Sequence, residues 1–410
     1  MRAAKIACTI ASATLALCSE QQAPLGAPQQ APTWTSADAP SYRPELLHLH
    51  KTLISTESIS GTEQHVGRVL AKYLENQGYT TRLQPVPPRN NTPPNEDRFN
   101  ILAWRAGTDH NPKVLVSSHI DVVPPHIPYG IDEGEITGET KIWGRGSVDA
   151  KASVAVQIIA LDELLKEDKV DGNDVMLLFV VGEEVSGDGM VQFSNAVASK
   201  ELPYKFDAAI FGEPTENKLA CGHKGALFCE VTAKGFPGHS GYPWLGKSAN
   251  ELMIRAFAKI FETDLGSSEL FGNSTVNVGR FNGGVASNVI PEHAQVGMGI
   301  RVAIGPEESG AAIVQKRVRE IFAEISEDAF DLQCPPGYGS VESNCDVEGF
   351  DTIVVNYGTD IPNFKGDHTR YLYGPGNILV AHGANENVTV ADLETAVEGY
   401  QKLILNALRQ

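Results

Sequence analysis

Apolar positions recur along this chain in two rhythms. Leu46, Leu47, Leu53 and Ile54 share one helical face between residues 44 and 56. The stretch Ser60-Gly-Thr-Glu63 reads as a capping box ahead of a second helix, with Val66, Val69, Leu70, Tyr73 and Leu74 at helical period. Gly78 is placed to stop that helix. Residues 86–98, rich in Pro and Asn, read as a loop. Short continuous apolar runs follow at 100–104, 113–118, 174–181 and 207–211, with a helix over 151–166 that is apolar on most sides. Unbroken apolar strands alternating with such a helix indicate a mixed, mostly parallel sheet covered by helices, an α/β fold.

The rhythm changes in the middle. A strand (226–233), a helix (246–262), two strands (274–280 and 294–303), a helix (308–325) and a strand (328–333) spell β-α-β-β-α-β. This predicts an inserted α+β unit over 223–340 with an open-faced sheet. The first style then returns, with a strand at 378–381 and a last helix capped at Thr389, its Leu393, Val397, Tyr400, Leu403 and Ile404 on one face. The α/β part is therefore expected in two pieces, 44–222 and 341–410, around the insert.

A length of 410 residues favours two domains on size alone. Asp and Glu outnumber Lys and Arg by 51 to 33, a net charge of −18 that repels nucleic acid and anionic membrane surfaces. Arg2 and Lys5 precede an apolar run over 6–18, and Ala16 and Cys18 make a small-x-small site before Ser19. Residues 1–18 thus read as a signal peptide, and 19–43, rich in Gln, Ala and Pro, as a disordered lead-in. The expected location is extracellular. Cys221, Cys229, Cys334 and Cys345 remain after cleavage and allow three disulfide pairings. Cys334 and Cys345 bracket one short loop and are the expected pair. Asn273 and Asn387 head glycosylation sequons; Asn90 heads a weaker one, followed by Pro93.

In an open α/β sheet, functional groups gather beyond the carboxyl ends of the strands. His119-Ile-Asp121 follows 113–118, Asp149 precedes the buried helix, Glu183-Glu184 follows 174–181, Glu213 follows 207–211, and His382 follows 378–381. Each position carries a metal-competent group. Imidazole with carboxylate and no thiolate suits catalytic Zn²⁺. These donors exceed one tetrahedral sphere, so a bridging carboxylate would split them between two ions ~3.5–4 Å apart, a spacing that polarises a carbonyl and acidifies a water. Asp121 can accept from the His119 ring and fix its tautomer. Of the adjacent glutamates, one can ligate while the other moves the water proton to the leaving amine.

The blocks SSHIDVVPP (117–125), WGRGSVDAKAS (143–153), VVGEEVSGDGM (180–190), FGEPTENKLACGHKG (211–225), GHSGYPWLGKSAN (238–250), ASNVIPEHA (286–294) and LYGPGNILVAHGANENV (372–388) together resemble the aminoacylase, acetylornithine deacetylase and glutamate carboxypeptidase family of co-catalytic zinc metallopeptidases, in its secreted fungal carboxypeptidase branch. The resemblance implies that Asp149 bridges two Zn²⁺ ions, for which Co²⁺ could substitute. It implies that His119 and Glu213 complete one sphere and Glu184 and His382 the other. Glu183 would be the general base and Asp121 would orient His119. His239, on the insert, would reach an active site, its own or a partner subunit's in a homodimer, and stabilise the oxyanion. Asn288, Arg301 and the backbone amides of Gly374 and Gly376 would hold the substrate carboxylate. Three positions depart from the family pattern: Ala150-Lys-Ala-Ser follows Asp149, Ser118 stands where Gly is common, and no acidic residue lies two before Arg301. The implied activity is cleavage of the amide bond next to a free C-terminal carboxylate in short peptides. An N-acyl amino acid deacylase is the alternative, and a non-catalytic binding protein a distant third, since every expected ligand and Glu183 are present. His223 reads as a structural histidine, and His368 lies near the proposed carboxylate pocket.

Overall fold

The computed structural model describes residues 39–105 and 110–409. The expected signal peptide and nearly all of the lead-in lie outside the described residues.

The main sheet has six strands, in the spatial order Tyr79–Val86, Arg98–Arg105, Val175–Val180, Val114–His119, Ala208–Gly212 and Thr369–Tyr373. The last four run parallel and the first two antiparallel. Successive strand residues point to opposite faces. Ile101, Val116, Leu177, Phe179 and Ile210 accordingly join one core, and Leu102, Leu115, Leu178 and Ala209 the other. The first core also holds helices α1 (Arg43–Ser55), α2 (Gln64–Asn76), α3 (Lys151–Lys166) and α7 (Val390–Ala407). The second holds α4 (Asp188–Ala198). Burial on both faces is why these strands read as unbroken apolar runs. The α3 helix is flanked by α1 and α7 and has 13 residues buried, which explains its lack of a polar stripe.

The second sheet is antiparallel, in the order Thr275–Gly283, His293–Val302, Gly225–Lys234 and Phe330–Gln333. Helices α5 (Ala249–Glu262) and α6 (Gly310–Ile325) cover one face and build a separate core with Leu227, Cys229, Val231 and Ala233. The other face is open, and Phe228 stands 58% exposed on it. A small sheet of Val341–Glu342, Leu219–His223 and Thr352–Val355 lies where the chain leaves and rejoins the main α/β part.

Three expectations are corrected. Ser60 and Glu63 form no capping box: α2 starts at Gln64 with no side-chain cap, Glu63 is paired with Arg98, and Ser60 donates to Asp121. Residues 378–381 are not a strand but a 3-10 turn (Ile378–Val380), because the Asn377 side chain accepts from the Leu379 amide and closes the chain on itself. The neighbouring core strand is Thr369–Tyr373, which was not foreseen. The disulfides are Cys221–Cys345 and Cys229–Cys334, not Cys334–Cys345. Cys334 follows a strand paired with that of Cys229, and the chain then runs on across the junction, through Val341–Glu342, before Cys345 reaches the strand of Cys221. Closeness in sequence was not closeness in space. At α7 the Thr389 cap is present, completed by Asp392 as a capping box.

Candidate functional site

His119 ends its strand, Glu183 and Glu184 follow Val175–Val180, and Glu213 follows Ala208–Gly212. These three parallel neighbours deliver their groups to one edge of the sheet. Asp149 enters the same edge just before α3, and His382 arrives from the far side of the chain with a left-handed backbone, φ 61°. Asp149 stands between the two imidazoles: its Oδ1 lies 3.3 Å from His119 Nε2 and its Oδ2 3.2 Å from His382 Nε2. His119 Nε2 is also 3.6 Å from Glu213 Oε1 and 4.0 Å from Glu183 Oε2. His382 Nε2 is 3.0 Å from Glu184 Oε2. The donor atoms of His119, Glu183 and Glu213, and those of His119, Asp149 and Glu184, form two groups each compact enough to hold a cation.

The surrounding residues fix this set. Asp121 is fully buried and accepts from Ser60 Oγ at 2.6 Å, from the Glu183 amide at 3.1 Å and from the Glu184 amide at 3.3 Å. It therefore positions the backbone of both glutamates. Burial opposes its charge, but His119 and these donors hold its pKa below the ordinary value. The ring of His119 bonds the Asp121 carbonyl through Nδ1 at 3.0 Å, with the Asp121 carboxylate 3.6 Å away, so backbone and side chain share the orienting role. Glu386 does the same for Asp149. Its Oε2 lies 2.5 Å from Arg145 Nη1, and its Oε1 accepts from the amides of Gly146, Val148 and Asp149 at 2.8, 3.3 and 3.3 Å. Sequence reasoning missed Ser60 and Glu386. Glu386 lies four residues past His382, and that proximity was the one available signal.

The donor set fits a metal. His119 Nε2 and Glu184 Oε1 are buried without a hydrogen-bond partner, both aimed into the site. Burial, and then the charge of Glu213, pushes the Glu183 carboxyl well above its ordinary pKa; burial does the same to Glu213, opposed by His119 and reinforced by Asp149. Burial, then Asp149, raises Glu184 to about 7. Four carboxylates around two imidazoles make a charge excess that only cations can offset while all four stay ionised.

The other expected residues are placed differently. Gly374 packs against the Glu213 carbonyl and Gly376 against Val148, both beside the donor set. Arg301 is half-buried on the second sheet. His239 and Asn288 are exposed on the insert, linked to each other through the amide of Ser240, which donates to the Asn288 carbonyl at 3.1 Å. Among the described residues, neither makes a hydrogen bond or ion pair with the donor set. His223 is buried, with Nδ1 on the Lys224 carbonyl at 2.8 Å and Nε2 on Thr359 Oγ1 at 3.0 Å, a structural histidine. His368 stacks on Phe364 at 4.3 Å.

Residues 115–406 match the model of the peptidase family M20/M25/M40. The chain belongs to this family. It is 55% identical over 400 residues to a Peptidase M20 domain-containing protein of Sordaria macrospora, covering 92% of this chain and 88% of that one. It is 44% identical over 383 residues to a probable carboxypeptidase of Paracoccidioides brasiliensis, covering 89% and 86%. Two solved structures share the fold. A tripeptidase from Staphylococcus aureus superposes with a TM-score of 0.70 at 19% identity, over 89% of this chain and 98% of that one. An M20 family metallo-carboxypeptidase from Sulfolobus solfataricus gives 0.66 at 16%, over 89% and 100%. As an M20 peptidase the chain is a metal-dependent hydrolase that takes peptide substrates. No helix among its described residues is long and apolar enough to cross a membrane.

Proposed function

We propose that this M20 peptidase is a secreted carboxypeptidase that holds two Zn²⁺ ions and cleaves the amide bond preceding a free C-terminal carboxylate in short peptides. The observation that carries this reading is the placement of Asp149, with one carboxylate oxygen toward His119 and the other toward His382. Asp149 would be shared by both ions, His119 and Glu213 would serve one, and Glu184 and His382 the other. When bound, such a pair supplies Lewis-acid polarisation of the scissile carbonyl and lowers the pKa of water.

The chain's own residues do the rest. Glu183 accepts the proton of the attacking water and returns it to the leaving amine. Asp121 keeps the Glu183 and Glu184 backbones and the His119 ring in register. Arg301, with the backbone around Gly374 and Gly376, binds the substrate carboxylate. The unit from 223 to 340 acts as a lid and dimerisation domain, and the exposed His239 and Asn288 complete an active site when a second copy or closure brings them to it. Close relatives described as probable carboxypeptidases, the two disulfides and the N-terminal pattern support the peptide substrate and the secretion.

The test is a substrate panel of dipeptides with free and amidated C-termini alongside N-acyl amino acids, assayed before and after chelation and Zn²⁺ add-back. Metal-dependent turnover of free-carboxylate dipeptides is the expected result. Faster turnover of the N-acyl amino acids would replace the reading with a deacylase, and indifference to amidation would discard the carboxylate requirement.

A further inference from the structure

The open face of the second sheet carries a row of residues at its end nearest the main α/β part. Tyr338 and Ala226 form a hydrogen-bonded antiparallel pair, each amide donating to the other's carbonyl at 3.1 Å. Ala226 is in turn directly opposite Arg301 on the next strand. Residues directly opposite one another share a face of the sheet, so Tyr338 and Arg301 project on the same side with only an alanine methyl between them. Phe228, two residues along the same strand, lies on that face too, with its ring 5.9 Å from the Arg301 guanidinium.

Both long side chains end at Gly358, on the other side of the junction. A Cβ on Gly358 would sit 2.2 Å from the Tyr338 hydroxyl and 3.6 Å from Arg301 Nη1. The hydroxyl and the guanidinium nitrogen are therefore within about 6 Å of each other. A carboxylate oxygen pair, each member about 2.8 Å from its donor, spans such a gap. Among the described residues, neither group has a hydrogen-bond or ion-pair partner. Gly358 leads through Thr359, which bonds His223, to Asp360, which lines the same small cavity as His119, Glu183 and Glu213. The pair thus stands beside the reacting centre. Burial, and then the negative charge of Glu183, pushes the Tyr338 phenol above its ordinary pKa, so it stays a donor at neutral pH.

We infer that Tyr338 is a substrate-binding residue, its hydroxyl forming with Arg301 a two-donor receptor for the terminal carboxylate of the peptide, over the gap that Gly358 leaves open. The inference rests on the carboxypeptidase reading and adds to it a second donor, from a segment outside every motif of the sequence. It also explains why residue 358 lacks a side chain: a Cβ there would overlap the phenol oxygen.

The test compares wild type with Tyr338→Phe, which removes one oxygen and leaves the ring packed. For free-carboxylate dipeptides KM should rise roughly ten- to a hundredfold, the loss of one hydrogen bond to a charged group, while kcat changes less than KM. Inhibition by the free product amino acid should weaken by the same factor, and the preference for free over amidated C-termini should shrink with it. Bound metal, measured by elemental analysis, should match wild type. An unchanged KM and product inhibition in Tyr338→Phe, while wild type still demands a free carboxylate, overturns the inference and leaves the carboxypeptidase reading intact. A fall in kcat alone also overturns it, because that would place the hydroxyl on the reacting carbonyl. Wild type that ignores C-terminal amidation removes the carboxypeptidase reading itself.

Discussion

Glu183 and Glu184 are adjacent in sequence yet face different partners, His119 at 4.0 Å and His382 at 3.0 Å. Their roles should separate on mutation. Glu183→Gln should lower kcat by about 10²–10⁴-fold, the usual worth of a positioned general base, with metal content unchanged by elemental analysis. Loss of metal instead would make Glu183 a ligand. Glu386 touches no substrate, but it holds three amides of the Asp149 turn and the Arg145 side chain. Glu386→Ala leaves a buried guanidinium unpaired, which costs about 3–5 kcal/mol. It should also weaken metal affinity roughly ten- to a hundredfold, read by titrating the apo-protein with Zn²⁺. The residues that meet at the site were legible because each candidate sits just past an apolar run or before the buried helix. Ser60, Glu386 and Tyr338 were not, because their partners lie 61, 240 and 112 positions away and only the folded chain makes them neighbours.

Elements were legible where burial was symmetric. The unbroken runs at 113–118, 174–181 and 207–211 are central strands, and the helix read over 151–166 is α3. Tyr79–Val86 was missed because an edge strand keeps polar residues on its open side, here Thr80 and Arg82. Thr369–Tyr373 was missed because Thr369 and Arg370 interrupt its apolar pattern at the opposite edge. The insert followed its predicted order of elements, since one buried face per strand and helix leaves a clear alternation. The Cys229–Cys334 bridge closes a span of 105 residues around it. Chain-entropy arguments assign such a loop up to about 4–5 kcal/mol. Cys229→Ser with Cys334→Ser should therefore lower the unfolding free energy from urea denaturation by up to that amount, seen as a lower midpoint, and an unchanged midpoint would show that the strands alone hold the insert together.

Across the whole molecule the titrating groups are unevenly divided. Burial lowers His50 and His223 from 6.5 to about 4, so both are neutral in the folded protein through the mildly acidic range. The unfolded chain binds those protons first, between pH 6.5 and 4, and stability should fall through that window as pH drops. Each histidine would cost roughly 3 kcal/mol at the acid end. Thermal unfolding at a series of pH values measures it, and His50→Gln should flatten the profile. Glu307, held by Arg370 at 2.6 Å and Lys365 at 3.1 Å, ties the insert to the main α/β part. Burial opposes its charge, but Arg370 and Lys365 hold its carboxyl below the ordinary value, so this clamp outlasts an unpaired glutamate as pH falls.

The two disulfides also set what a protease can do to this protein. Both bridges straddle the excursion of the chain into the insert, one from 221 to 345 and the other from 229 to 334. A peptide bond cut anywhere from 230 to 333 lies inside both rings, so the two pieces remain one covalent molecule, twice joined. The open sheet face and the exposed loop bearing His239, Tyr242 and Trp244 can thus be nicked in a protease-rich medium without shedding the second half of the chain and, with it, His382.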